Sequence, residues 1–223
     1  MFDAVIFDCD GCLIDSEVLA LEVELQALAD VGMPYDPDEF RRRFMGLTDA
    51  AFFAALDGDR IAKLGEPLPA DFRRRHDEAL TGAVDERLAE VAGAAAAVAA
   101  LGRPKAVASS SHAAFLERKL RRVGLWEAFA PHVYAGDQVA RGKPAPDLFL
   151  LAAAGLSVAP ERCLAIEDSV NGILAARAAG MTAWALTAGG HILPSDVGRL
   201  REAGAHAIVG AWSEAARDFA AWA

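Results

Sequence analysis

"FDCDGCLIDSE", residues 7–17, begins where the apolar, β-branched opening "MFDAVIF" ends, and it carries two aspartates one residue apart, Asp8 and Asp10. Residues 2–7 read as a buried strand, and Gly11 marks the turn that ends it. Two carboxylates that close repel each other, and each loses hydration on burial. Something positive or something reactive should stand beside them.

Downstream the chain is first helical. "SEVLALEVELQALAD" from Ser16 to Asp30 has apolar residues at helical spacing and a Ser with acidic neighbours at its start. "DPDEFRRRFMG" predicts a second helix, capped by Asp36 or Asp38, and "LTDAAFFAAL" and "PADFRRRHDEAL" predict two more. From about residue 90 the rhythm changes. Strands "KAVASSS", "HVYAG", "CLAIEDS", "TAWALT" and "HAIVG" alternate with helices such as "HAAFLERKLRRVGL", "PAPDLFLLAAAGL" and "VNGILAARAAG". That alternation implies parallel βαβ units. The first strand must join the same sheet, because alone it could not be stable. The expected fold is α/β, a doubly wound parallel sheet built from residues 1–15 and 86–223, with a four-helix domain inserted at residues 16–85.

The 223 residues are 54% hydrophobic and 24% charged, which suits a packed globular core. A net charge of −10 argues against nucleic acid or an anionic membrane as partner, while leaving room for a locally positive pocket. No apolar run reaches the ~20 residues of a membrane span. "AGAAAAVAALG" reads as a buried helix. Cys9 and Cys12 have CxxC spacing, but the remaining Cys163 cannot complete a zinc site with a second pair. Few cysteines and no visible targeting segment lead to the expectation of a cytoplasmic monomer.

In open parallel sheets, ligands bind beyond the carboxyl ends of the strands. Those ends carry Asp8 and Asp10, then Ser109, Ser110 and Ser111, then Lys143 in "RGKPAP", then Glu167 and Asp168. The acids outnumber what one lysine can neutralise. Hard carboxylate oxygens lacking a counter-charge point to a divalent cation, Mg²⁺.

This set resembles the haloacid dehalogenase superfamily, with "DCDGCLIDSE" for its DxDG motif, Ser109 for its hydroxyl motif, Lys143 in "GKPAP", and "EDS" for its closing acids. The "DSE" and the helical insert resemble the β-phosphoglucomutase-like branch, and within it small bacterial sugar-phosphate phosphatases. The resemblance implies that Asp8 is the nucleophile and forms an aspartyl-phosphate. It implies that Asp10 is the general acid and base, working partly protonated, with its backbone carbonyl on the metal. Asp8, Asp168 and the Asp10 carbonyl would hold Mg²⁺, with Glu167 adding a ligand directly or through water. Ser109 and the Ser110 N–H would hold phosphate oxygens, and Lys143 would neutralise charge on the phosphoryl group and on Asp8. The helical insert becomes a cap that opens and closes on hinges near 11–16 and 82–90.

Other readings of the same residues are plainer. Ser111 suits the N-cap of the helix that follows it. His112 beside the serines does not make a triad by adjacency. The arginine runs at 41–43 and 73–75 suit solvated helix faces, though Arg75 is a candidate substrate contact, as are Gly46 and Thr48 in the cap loop "MGLT". The expected activity is Mg²⁺-dependent hydrolysis of a small phosphorylated metabolite: a sugar, sugar-acid or polyol phosphate. The alternatives are a β-phosphoglucomutase-like mutase, a dehalogenase, and a non-catalytic binding protein on the same fold. Against the mutase, this chain has Ala20 and Asp49 where the resemblance implies a histidine and a phosphate-gripping arginine.

Overall fold

The computed structural model describes residues 2–44, 47 and 49–220. In chain order the elements are β1 (Ala4–Phe7), α1 (Ser16–Asp30), α2 (Pro37–Phe44), α3 (Asp49–Leu64) and α4 (Phe72–Arg87). Then come α5 (Ala94–Ala100), β2 (Lys105–Ser109), α6 (Ala113–Arg122), α7 (Trp126–Phe129), β3 (Val133–Ala135) and α8 (Asp147–Gly155). The chain closes with β4 (Cys163–Glu167), α9 (Val170–Ala178), β5 (Thr182–Leu186), α10 (Asp196–Glu202), β6 (Ala207–Val209) and α11 (Trp212–Ala220). They form two compact units, Val18–Arg87 and the rest of the chain.

The larger unit is built on six parallel strands in the order β3-β2-β1-β4-β5-β6. β1 is buried on both faces, which explains its unbroken apolar sequence. Ala4 and Ile6 point into one layer with Leu148, Phe149 and Ile173 of α8 and α9. Phe7 points the other way, against the rings of Phe129, Trp212 and Phe219 at 5.5–6.4 Å. The period-two alternation of a strand thus feeds two helical layers from one tetrapeptide. Truncating a ring as buried as Phe7 to alanine costs about 3–5 kcal/mol.

β1 lies where the chain reverses its direction of winding, with β2 and β3 to one side and β4 to β6 to the other. A crevice opens at such a point beyond the strand ends. Phe7 pairs with Val107 and with Ile166, so Asp8, Ala108 and Glu167 stand side by side where β1 ends.

The helical unit has its own core of Leu28, Met33, Phe40, Phe44, Leu56 and Phe72. Asp36 is the residue that caps α2: its Oδ1 accepts from the backbone N–H groups of Asp38 and Glu39, at 3.0 Å each. Buried Arg60 is satisfied by the carbonyls of Pro67 and Val31 and by Glu66. Among the described residues no helix is long and apolar enough to cross a membrane. The three cysteines are buried free thiols.

Candidate active site

Asp8 extends β1 by one residue, its N–H donating to the Ile166 carbonyl at 2.9 Å. Its side chain is buried. Lys143 reaches in from the loop before α8 and places Nζ 2.5 Å from Asp8 Oδ1, 2.5 Å from Glu167 Oε1 and 2.9 Å from the Ala108 carbonyl oxygen. Burial works against its charge, but Asp8 and Glu167 outweigh burial and keep Lys143 protonated above the ordinary lysine value.

Glu167 is the last residue of β4 and is fully buried. Its Oε2 accepts from the N–H groups of Asp168 and Ser169 and from the Ser169 hydroxyl. The turn into α9 thus locks the carboxylate from behind. Gly172 makes room for it, since a Cβ there would come 1.8 Å from the carboxylate carbon. Asp168 follows immediately. Gly11 is required twice over: its φ is +76°, and a Cβ would lie 2.2 Å from Asp168 Oδ2.

One oxygen each from Asp8, Glu167 and Asp168 falls within a 4.8 Å spread. Burial pushes Asp8 well above the usual carboxylate range; Lys143 works against this, and Glu167 and Asp168 add to it. Burial likewise pushes Asp168 up, with Glu167 and Glu17 adding to the effect. Three buried carboxylates around one ammonium are short of positive charge. Their donor set is all hard oxygen, so the residues present fit a small divalent cation.

Asp10 has a separate set of partners. Ser16 donates to its Oδ1 at 2.6 Å, Ser111 to its Oδ2 at 2.8 Å, and Ser109 to Oδ2 at 3.2 Å. Lys119 donates to Oδ1 and also to Ser111 Oγ at 2.8 Å. Burial alone would raise the Asp10 carboxyl, but the Lys119 charge and these hydrogen bonds win and hold it at about 2.

Two expectations are thereby corrected. Asp10 is not partly protonated at rest; a second buried lysine, absent from the sequence-based set, keeps it ionised. Ser111 does not cap α6, whose N-cap position is His112 with no side-chain cap. The Ser111 hydroxyl is committed to Asp10, and the Ala113 N–H is met instead by Asp137 at 3.1 Å. His112 is exposed, 3.6 Å from Asp137.

The core therefore brings Asp8, Asp10, Ser109, Lys143, Glu167 and Asp168 onto one rim, with Ser110 exposed beside them and its backbone packed on Gly136. Arg75 belongs to the helical unit, exposed, with Nε 3.1 Å from Asp71. Gly46 and Thr48 lie outside the described residues. Sequence reasoning missed Lys119, Ser16 and His191. For Lys119 the spacing from Leu116 and Leu120 puts it on the apolar stripe of α6, but its basic neighbours Arg118, Arg121 and Arg122 mask that position in the sequence, and only its burial shows that it needs a partner.

The chain matches the sequence model of the haloacid dehalogenase-like hydrolases over residues 2–180. It is 28% identical over 195 residues to 6-phosphogluconate phosphatase of Escherichia coli strain K12, covering 86% of each protein. It is 34% identical over 182 residues to a phosphorylated carbohydrates phosphatase of Thermotoga maritima, covering 80% of this chain and 82% of the relative. A hydrolase of the same family from Deinococcus radiodurans R1, crystallised with bound phosphate and sodium, superposes with a TM-score of 0.82 at 36% identity, covering 96% of this chain and 93% of the other.

Proposed function

Because the chain belongs to the haloacid dehalogenase-like hydrolases, we propose that it is a Mg²⁺-dependent phosphatase of small phosphate monoesters, acting through a phosphorylated Asp8. The observation that carries this reading is the surroundings of Asp8. It sits at the winding reversal of the sheet, one oxygen held by Lys143, within reach of two further buried carboxylates. The substrate class is taken from the phosphatases of 6-phosphogluconate and of phosphorylated carbohydrates to which the chain is similar: sugar, sugar-acid or polyol phosphates.

Asp8, Asp168, the Asp10 carbonyl and Glu167 would hold the Mg²⁺. When bound, the ion supplies positive charge that offsets repulsion between the Asp8 carboxylate and a phosphate dianion. Lys143 does the same from the protein side, already in contact with Asp8. An Asp8 oxygen forms the new bond to phosphorus as the bond to the leaving alkoxide breaks. Asp10 gives the alkoxide a proton, then takes one from the water that splits the aspartyl-phosphate. Ionised at rest, Asp10 is ready for the base half of this cycle; for the acid half it must first gain a proton that Lys119 disfavours. Ser109 and the Ser110 N–H hold phosphate oxygens. Positioning and charge stabilisation are most of what phosphoryl transfer needs. The unit Val18–Arg87 serves as the cap, and Gly46, Thr48 and Arg75 are its candidate substrate contacts.

The test is phosphate release from p-nitrophenyl phosphate and from a panel of sugar phosphates, with Mg²⁺ and with excess chelator. Mg²⁺-dependent release is expected. Full activity in chelator would overturn the metal reading, and no release from any monoester would overturn the phosphatase.

A further inference from the structure

One buried side chain touches the carboxylate cluster and has no part in the chemistry above. His191 lies in the loop between β5 and α10, is 9% exposed, and places Nε2 2.8 Å from Asp168 Oδ2. Its socket is made by two glycines from distant loops. A Cβ on Gly11 would come 2.5 Å from His191 Cε1. A Cβ on Gly189 would come 2.8 Å from both Cε1 and Nδ1, and 2.5 Å from the Gly11 carbonyl oxygen. The loop is fastened in place: the Gly190 N–H donates to Asp15 Oδ1 at 3.2 Å, and the Ile192 N–H to the Gly189 carbonyl at 3.2 Å. Segments following β1, β4 and β5 thus close on one imidazole. Asp168 and Glu17 are among the charged groups that bear on it.

We propose that His191 is a positioning residue of the metal site, holding Asp168 by Oδ2 so that its other oxygen is presented to the cation. This rests on the Mg²⁺ reading above. A carboxylate bound to a cation is ionised and can only accept, so the imidazole must donate through Nε2–H. Mg²⁺ prefers oxygen ligands, which places His191 behind the ligand and not among the ligands. A carboxylate left without such a partner can rotate and lose its aim. Partners of this kind are worth about 10–100-fold in metal affinity.

The experiment is calorimetric titration of Mg²⁺ and Mn²⁺ into the metal-free full chain, without substrate. The proteins are wild type, His191→Ala, His191→Gln and Asp168→Asn, with thermal unfolding of each metal-free protein alongside. His191→Met, which fills the space without a donor, replaces the alanine variant if that does not fold. The expected result is a dissociation constant about 10–100-fold weaker for His191→Ala, and most of the affinity regained by His191→Gln through its amide N–H. Asp168→Asn should bind far more weakly than either. If His191→Ala binds like wild type while Asp168→Asn does not bind, the inference fails and the metal reading stands. If Asp168→Asn also binds like wild type, the metal reading fails and takes the inference with it. Equal weakening in the alanine and glutamine variants, tracking equal losses of metal-free stability, would reduce His191 to packing and overturn the proposal. A directly bonded nitrogen in the pulsed EPR spectrum of the Mn²⁺ form would overturn it too, by making His191 a ligand.

Discussion

Lys119 and Asp10, 109 residues apart in the chain, form an ion pair beneath the rim of the sheet, and Lys119 is 2% exposed. The pair answers half of the problem posed by two adjacent aspartates. Each has its own lysine: Lys143 faces Asp8 from one loop, and Lys119 faces Asp10 from α6. Removing one partner of such a pair leaves an uncompensated buried charge, at about 3–5 kcal/mol. Lys119→Met should therefore destabilise the protein by about 3 kcal/mol, read from urea unfolding, with Lys119→Arg losing less. The pH dependence has a definite sign. The Asp10 value in the fold, about 2, lies below its ordinary 3.8, so its stabilisation is present above 3.8 and lost as pH falls through about 2. Lys119→Met should flatten that acid limb. An unchanged acid limb would mean that Lys119 does not hold Asp10 ionised.

Asp8→Asn keeps the shape of the side chain and removes the attacking charge. Turnover of p-nitrophenyl phosphate should fall by about a thousandfold or more, with circular dichroism unchanged. Substantial activity in the folded, purified variant would remove Asp8 from the nucleophile's place.

Metal uptake should expel protons. Asp8 and Asp168 are both raised by burial, so the metal-free fold retains protons at pH values where free carboxylates have lost them. A cation binds the ionised forms. Affinity should then strengthen as pH rises through the raised values and level off above them. Titration at one pH in two buffers of different ionisation enthalpy measures the protons released. Identical heats in both buffers would contradict the prediction.

Gly172 tests the support of Glu167. An alanine methyl there would overlap the Glu167 carboxylate, at 1.8 Å from its carbon. Gly172→Ala should cost about 1–3 kcal/mol by overpacking and weaken metal binding by displacing Glu167. Wild-type stability and affinity together would show that the carboxylate can move aside freely.

Phosphatase and mutase part on one incubation. With β-glucose 1-phosphate and Mg²⁺, with or without the 1,6-bisphosphate, the expected product is free phosphate and no glucose 6-phosphate. Ala20 and Asp49 stand in the sequence where the family resemblance implies a proton-relaying histidine and a phosphate-gripping arginine, and neither residue type supplies that chemistry. Rapid, activator-dependent isomerisation with little phosphate released would reverse the assignment.

The sequence by itself determined the alternation of strands and helices, the helical stretch after the first strand, and the acids and lysine at the strand ends. Those are local properties. A strand ending in "FDCDG" or "CLAIEDS" announces itself by an apolar run cut off by charge, and helices by their period. Only the tertiary structure decided which ends meet. The order β3-β2-β1-β4-β5-β6 puts Asp8 between β2 and β4, and nothing in a run of residues carries the order of strands. Lys119 and His191 were hidden for the same reason. A lysine among the basic residues of "LERKLRR" looks like its solvated neighbours until α6 is packed and turns its Leu116–Lys119–Leu120 stripe inward. A histidine after two glycines looks like a loop residue until Gly11 and Gly189 close around it. What a charge or an imidazole does depends on the partner that burial selects, and that partner comes from another part of the chain.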